Sequence, residues 1–212
     1  MLAIPGAGLE SMTGLSTSLR GVVNPLVAVV LISIILMLGW GLLGMTVNYL
    51  SIVRSEQQLY AFVNRISTDT YFYIEALFSK PKHTVYVGLL RASNIPTTYY
   101  LCILNQTNGK PVENVDVGIS YDRGYRDAGS VTVESDNIYI LSQMARYMPL
   151  SAEVEVSDVT LYTINYTGLD LPLSIRIEVE DVDQQPKLVL VLLVPYGQKY
   201  YEVKRLYIVW RE

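Results

Sequence analysis

Hydrophobic positions follow two patterns along the chain, one in the first third and another in the remainder. Residues 21–53, here called the uncharged run, contain no Lys, Arg, Asp or Glu. Its most apolar part, residues 26–45, matches the roughly 20 residues that a helix needs to cross a bilayer. Backbone polar groups have no water partners at that depth, so the pattern predicts a helix. The alternative is a core helix of a soluble domain, but an uncharged run of this length is not typical of one.

A helical pattern continues beyond the uncharged run. Apolar residues recur every three to four positions between residues 50 and 77, with charged and amide side chains between them. Pro81 then interrupts the pattern. The sequence therefore assigns residues 22–80 to a hydrophobic and then amphipathic helical region, with a single helix from about Pro25 to Ser79 that would be about 80 Å long at 1.5 Å per residue. We expect its amphipathic second half to pack on the C-terminal domain of the same chain or on neighbouring copies.

After residue 82 the spacing becomes that of strands. Residues 173–180 alternate between apolar and polar side chains, and residues 153–156 do so over a shorter stretch. Residues 188–194 are continuously apolar, which predicts a central strand covered on both faces. Further strand candidates are residues 85–91, 99–104, 115–121, 131–134, 139–142 and 200–210, with residues 142–148 left open as a helical turn. This pattern predicts an α+β fold in which the long N-terminal hydrophobic helix precedes an antiparallel, immunoglobulin-like β-sandwich head over residues 83–212.

The composition excludes several functions. Charged residues make up 17% of the 212 residues, below the roughly 25% of an average soluble domain. A net charge of −4 and a pI near 5.1 give no support to nucleic-acid binding, which needs a basic surface. One histidine cannot supply a histidine-based metal site, and one cysteine cannot form an intrachain disulfide. No nucleophile–base pair, phosphate-binding loop or paired-carboxylate motif occurs, so we expect neither an enzyme nor a cofactor or metal.

Tyrosine is unusually frequent, with 17 Tyr against 3 Phe and 2 Trp. A tyrosine ring can be buried while its hydroxyl stays hydrogen-bonded, which suits half-wet surfaces and interfaces. We therefore expect tyrosines to lie at half-wet surfaces or interfaces.

Four isolated residues have simple interpretations. Asn105 and Asn165 each begin an N-glycosylation sequon beside a turn signal, and an outward-facing head would expose both. His83 is interpreted as the hinge between helix and head. Cys102 lies in an apolar strand candidate and is interpreted as a small buried hydrophobe.

The junction Arg20-Gly21-Val22 lies immediately before the apolar block, and Asn24-Pro25 follows it. An ordinary secretory signal would place a small-residue cleavage site after the apolar core, and none follows here. At this junction the chain resembles the archaeal type IV pilin-like family, which includes adhesion pilins and archaellins. Precursors in that family carry a short polar leader that ends in a basic residue and glycine. Asn24-Pro25 is similar to the Ser-Pro pair that many members have after the cut.

The resemblance implies a function for the whole chain. A prepilin peptidase would cut between Gly21 and Val22, after the basic Arg20, and remove a leader over residues 1–21. The product would be a structural subunit of a cell-surface filament, inserted in the membrane as a precursor and assembled into a helical homo-oligomer by pilus machinery. The filament core would then include these helix residues: Val27, Val30, Ile34, Leu38 and Leu42.

A second interpretation remains open. The chain would be a single-span membrane protein whose extracytoplasmic β-sandwich binds a partner or anchors a larger machine, similar to an accessory protein of the archaellum stator. Flanking charges do not decide on which side of the membrane the head lies, because Arg20 precedes the span while Arg54 and Arg65 follow it. A mature N-terminus at Val22 favours the filament subunit, and one at Met1 favours the anchored protein.

Overall fold

A computed structural model of the protein describes residues 25–79, 82–93, 95–121, 124–168, 172–179 and 187–210. The chain divides into two compact units, the first ending at Val53 and the second beginning at Arg54. This boundary falls inside the long helix, where the uncharged run ends. The predicted leader lies outside the described residues.

Helix α1 comprises Pro25–Asp69. Proline suits the first helical turn, where backbone N–H groups have no intrahelical partner. The expected helix is therefore present, but its predicted end near residue 80 is wrong. The last part of the predicted helix is a strand, Thr70–Phe78.

The strand forms because its sequence, TYFYIEALF, is rich in aromatic and β-branched residues. Thr70 and Phe72 are buried while Tyr71 and Tyr73 are exposed, which is the two-residue period of a strand. The β-sandwich consequently begins at Thr70 rather than near residue 83.

Twelve strands lie in the described residues. They are β1 (Thr70–Phe78), β2 (His83–Arg91), β3 (Thr97–Asn105), β4 (Val115–Tyr121), β5 (Gly124–Asp127), β6 (Gly129–Glu134), β7 (Ile138–Leu141), β8 (Tyr147–Pro149), β9 (Asp158–Tyr166), β10 (Leu173–Val179), β11 (Lys187–Tyr196) and β12 (Lys199–Val209). A five-stranded sheet has the order β1-β2-β10-β4-β5, and a seven-stranded sheet has the order β6-β9-β3-β11-β12-β7-β8. Paired strands are antiparallel except β12 and β7, which are parallel. The predicted α+β class with an antiparallel sandwich is confirmed.

The main core lies between the two sheets. Alternate residues of β2 and β10 meet alternate residues of β3 and β11 there, and the innermost of them are fully buried. Strand β11 pairs with β3 on one side and with β12 on the other. Its even-numbered residues join this core, and Val189, Val191 and Leu193 join a second cluster on the opposite face of the sheet. The prediction that residues 188–194 form a central strand covered on both faces is confirmed.

One predicted strand is wrong, and several observed strands lie outside the predictions. Residues 153–156 follow a 3₁₀ turn, Leu150–Ala152, and the N–H groups of Glu153 and Val154 both donate to the Leu150 carbonyl at 3.0 Å. The local alternation of apolar and acidic residues therefore reflects a turn that buries Val154. Strands β1, β5, β8 and β9 were not predicted, and residues 142–148 form a turn that leads into β8.

Candidate functional site

The first functional feature is the part of α1 before residue 54, here called the apolar segment (residues 25–53). The expected filament-core residues are all between 47% and 65% exposed: Val27, Val30, Ile34, Leu38 and Leu42. The most apolar 18-residue window has a mean hydropathy of 2.8 and no buried residue. This helix is long and apolar enough to cross a membrane, although a signal sequence near the N-terminus satisfies the same criterion. An apolar surface of this extent needs a cover other than water.

Hydroxyl side chains in the apolar segment bond to the backbone of the same helix. Ser33 Oγ donates to the Val29 carbonyl at 2.9 Å, and Thr46 Oγ1 donates to the Leu42 carbonyl at 2.8 Å. A polar group that already has a partner costs less to place in an apolar medium. These residues are therefore compatible with lipid or with a packed core of helices.

The second part of α1, here called the docked segment (residues 54–69), packs on the sandwich. Val63 and Ile66 are buried in the main core, and Leu59 and Phe62 pack against it. Ser67 Oγ donates to the Val203 carbonyl at 2.8 Å. Of the two partners expected for the amphipathic half of the helix, the sandwich of the same chain is the one seen here.

Aromatic rings surround the docked segment. The ring of Tyr60 lies 5.5 Å from that of Tyr147, and Phe62 lies 5.2 Å from Tyr196. Tyr201 links these pairs, at 5.5 Å from Tyr147 and 6.3 Å from Tyr196. Part of the tyrosine excess therefore joins helix to sandwich within one chain, a use that composition alone did not indicate.

The hydroxyl at the centre of this cluster has an internal partner. Tyr147 donates to the Glu202 carbonyl at 2.9 Å, and burial, reinforced by the Glu202 carboxylate, raises the pKa of Tyr147 to about 12. The Glu202 carboxylate is itself buried and lies 2.6 Å from Arg205, and it accepts the Leu141 N–H at 2.8 Å. This pairing compensates the cost of burying the carboxylate.

A polar clamp fixes the end of α1 to the sandwich. Asp69, the last helical residue, lies 2.9 Å from the Nε of Arg91, which is only 5% exposed. The Ser93 hydroxyl also donates to the Asp69 carboxylate, and this bond together with Arg91 lowers the pKa of Asp69. Next along the chain, the buried Thr70 hydroxyl bonds that of Tyr99 at 2.8 Å. These contacts place the junction of helix and sandwich at residues 69 and 70.

His83 is therefore not the hinge that the sequence suggested. It begins β2, and its ring lies 5.1 Å from that of Trp210 within the sandwich. Cys102 is 1% exposed in β3, and burial raises the pKa of its thiol to about 12. The interpretation of Cys102 as a buried hydrophobe is confirmed.

The predicted modification sites differ in setting. Arg20, Gly21 and Val22 lie outside the described residues. Asn105 ends β3 and is partly buried, and its Oδ1 accepts the Thr107 N–H at 2.8 Å.

Asn165 is exposed in β9, and its Oδ1 accepts the Thr98 hydroxyl at 3.1 Å. Because Thr98 lies near the start of β3 and Asn105 at its end, the fold places the two sequons at opposite ends of that strand.

Among the clefts formed by the described residues of the sandwich unit, two of similar volume lie beside residues already discussed. One, of about 650 Å³, is lined by residues of β4–β6 and β9, including Arg126 and Asn165. The other, of about 660 Å³, lies beside the docked segment among the tyrosines already described. Within the described residues, no group of three or more His, Cys, Asp or Glu side chains is arranged to hold a metal ion.

Comparison with known proteins gives no functional assignment. No family model and no curated protein matches the chain. The crystal structure of the human F-spondin reeler domain matches with a TM-score of 0.31 and 12% identity, over 68% of this chain and 89% of that one. A likeness at this level carries no argument about fold or function.

Proposed function

We propose that this chain is a structural subunit of an archaeal type IV pilus-like extracellular filament. The apolar segment forms the filament core, and the sandwich forms the outer surface, which serves in adhesion. One observation carries the proposal: the apolar segment has no charge and no buried residue, yet it continues without a break into the docked segment.

The length of α1 supports a filament subunit over a simple anchor. A membrane span needs about 20 residues, whereas α1 has 45. An anchored binding domain has no need of a helix that enters its own core at Val63 and Ile66. A filament subunit needs such a helix, because the outer domain must be joined firmly to the chain that carries it into the assembly.

The proposal also gives the membrane a role before assembly. Burial of each large apolar side chain contributes about 1.5–3 kcal/mol relative to water. Lipid already covers these side chains in the inserted precursor, so the transfer from lipid to filament gains much less. Assembly therefore requires machinery that extracts subunits from the membrane, after a prepilin peptidase has removed residues 1–21.

The test is the N-terminus of the native protein together with its location. Filaments sheared from cells and the remaining membranes are analysed separately by intact mass and N-terminal peptide mass spectrometry. A mature chain that begins at Val22 and is recovered in sheared filaments supports the proposal. A chain that begins at Met1 and stays in the membrane refutes it and favours the alternative, a single-span protein with an extracytoplasmic binding or anchoring domain.

A further inference from the structure

Strand β1 presents an uncovered apolar surface. It lies at the edge of the five-stranded sheet, where its other side pairs with no described strand. Three of its large side chains lie on the outer face of the sheet with 39–55% of their surface exposed, here called the β1 surface: Tyr71, Tyr73 and Phe78. Ile74 and Leu77, 37% and 39% exposed, pair with the core residues Val87 and Val85 and so lie on the other face of this edge strand. Exposed apolar edge strands are sites at which another chain binds.

The aromatic surface extends from β1 across the sheet. Gly88 on β2 has no side chain, and a Cβ there would approach the Tyr73 ring to 2.4 Å, so glycine is required for this ring to lie against the sheet. Phe78 packs on Tyr86 at 5.7 Å, and Tyr86 packs on Tyr125 at 5.9 Å. The rings of the latter two pairs are steeply inclined, at 89° and 58°, so the surface is not a flat stacking platform.

Charged groups beside the β1 surface already have partners within the chain. Arg176 lies 3.5 Å from Asp116 and 3.3 Å from Glu178, the second contact without hydrogen-bond geometry. Ser174 Oγ donates to the Glu75 carboxylate at 2.7 Å. A charged polymer would have to compete with these pairs, whereas an apolar protein surface would not. Aromatic residues with few free charges are typical of the core of a protein–protein interface.

The geometry of a helical core indicates which protein is the partner. Packed helices lie 8–10 Å apart, whereas a five-stranded sheet at about 4.8 Å per strand is roughly 24 Å wide. Each sandwich is therefore wider than the spacing of the helices, and we expect sandwiches on neighbouring helices to contact one another. Strand β1 follows Asp69 without a linker, so every copy carries this surface at the same position relative to its docked segment.

We propose that the β1 surface binds a second copy of this chain in the assembled filament. The inference rests on the proposed function and adds the contact that holds the outer domains together. In a helical array this contact is heterologous, so the β1 surface meets a different surface of the neighbouring copy.

The experiment compares two tyrosines of equal exposure in the full-length chain. Tyr71 and Tyr207 are both 55% exposed, but Tyr207 lies on β12, outside the β1 surface. We expect Tyr71→Lys to lower the yield of sheared filament at least about tenfold, a loss equivalent to one interface made weaker by one decade in affinity. Membrane-bound protein and melting temperature should match those of Tyr207→Lys, which should assemble normally. Normal filament yield from Tyr71→Lys overturns the inference and leaves the proposed function intact.

A photo-crosslinking amino acid at position 71 tests the contact without adding a charge. In filaments we expect crosslinked dimers in which mass spectrometry identifies a peptide of this same chain. Crosslinks to other proteins only, or none, overturn the inference. If the wild-type chain forms no filaments, the proposed function fails, and the inference, which places the contact in the filament, fails with it. Filaments that assemble normally but give no crosslinked dimers overturn the inference alone.

Discussion

A charge in the apolar segment separates a filament core from a membrane anchor. Ile34 lies near the middle of residues 26–45, is 48% exposed, and belongs to the unit that does not contain the sandwich. Ile34→Lys should therefore leave the free energy of unfolding of the sandwich unchanged. Any loss of filament or of membrane-bound protein then reflects the surroundings of the apolar segment, either lipid or packed helices.

The size of the effect depends on that cover. In lipid, a central lysine costs about 2.5–3.5 kcal/mol on insertion scales, because it can draw in water and reach toward the interface. In a core of helices the ammonium would be buried without a carboxylate, since residues 21–53 contain no Asp or Glu. Leaving a buried charge unpaired costs about 3–5 kcal/mol, and the cost recurs at every subunit. The middles of these two ranges differ by about 1 kcal/mol, and at 1.4 kcal/mol for each tenfold change filament yield should fall about fivefold further than membrane-bound protein for each subunit contact.

The assay measures membrane-bound protein and sheared filament from the same cells. Ser51→Lys is the matched control, because Ser51 is exposed, lies three residues before Arg54 and so carries the new charge at the end of the uncharged run. We expect Ser51→Lys to reduce both quantities little. Equal losses of membrane protein and filament in Ile34→Lys, or abundant filaments built from it, would show that this helix is not a filament core.

Three further predictions test processing, docking and the clamp. Gly21→Trp should abolish filaments and leave a precursor about 2 kDa heavier by intact mass, because only glycine lacks a Cβ that would clash in a narrow peptidase subsite; normal processing would contradict the family resemblance. Ile66→Ala should destabilise the sandwich by about 2–5 kcal/mol in thermal melts, because it opens a cavity at a residue that is 5% exposed, whereas Leu50→Ala, at an exposed position, should have no such effect. Because the pKa of Asp69 is lowered in the folded state, the ionised carboxylate stabilises the fold at pH values above its ordinary pKa of 3.8, and this contribution is lost as pH falls through the folded pKa. Asp69→Asn should therefore lower the melting temperature at pH 6, and its melting temperature should decrease less toward pH 3 than that of the wild type. Parallel pH profiles of the two proteins would refute the clamp.

The sequence predicted what local spacing determines. Residues 188–194 are apolar without interruption, and a strand with sheet neighbours on both sides and a core on both faces requires that pattern. The uncharged run predicts its helix just as directly. Lipid or packed helices that surround a helix exclude water, so an unpaired charge is unfavourable at every position along it.

Strand β1 could not be assigned in the same way. Its sequence places apolar residues at both helical and strand spacings, so the period of the pattern does not distinguish the two. Pairing with β2 makes this segment a strand rather than a helix. That pairing depends on contacts between residues far apart in sequence, such as Tyr73 and Gly88. After the turn at Leu150, a strand was predicted where none exists. Apolar and acidic residues alternate there, but their backbone groups do not pair with a neighbouring strand.

Only part of the candidate site could be predicted from the sequence. The apolar segment follows from sequence alone, but the clamp joins Asp69 to Arg91 and Ser93, and nothing in their local sequence marks them as partners. The tyrosine cluster likewise draws Tyr60 from the helix and Tyr147 and Tyr201 from distant strands, so composition could indicate a role at an interface but not which interface.

The junction at residues 69 and 70 has a mechanical consequence. Any pull transmitted along α1 enters the sandwich through the side chains of the docked segment and through the peptide bond that joins Asp69 to β1, because no linker precedes β1. The load then falls on the Asp69–Arg91 pair, the Thr70–Tyr99 hydrogen bond and the antiparallel ladder of β1 with β2. A flexible linker would extend before tension reached the domain. Here tension along α1 acts directly on a buried arginine and a hydrogen-bonded strand. The side chains at the junction of α1 and β1 therefore also resist stretching of the chain.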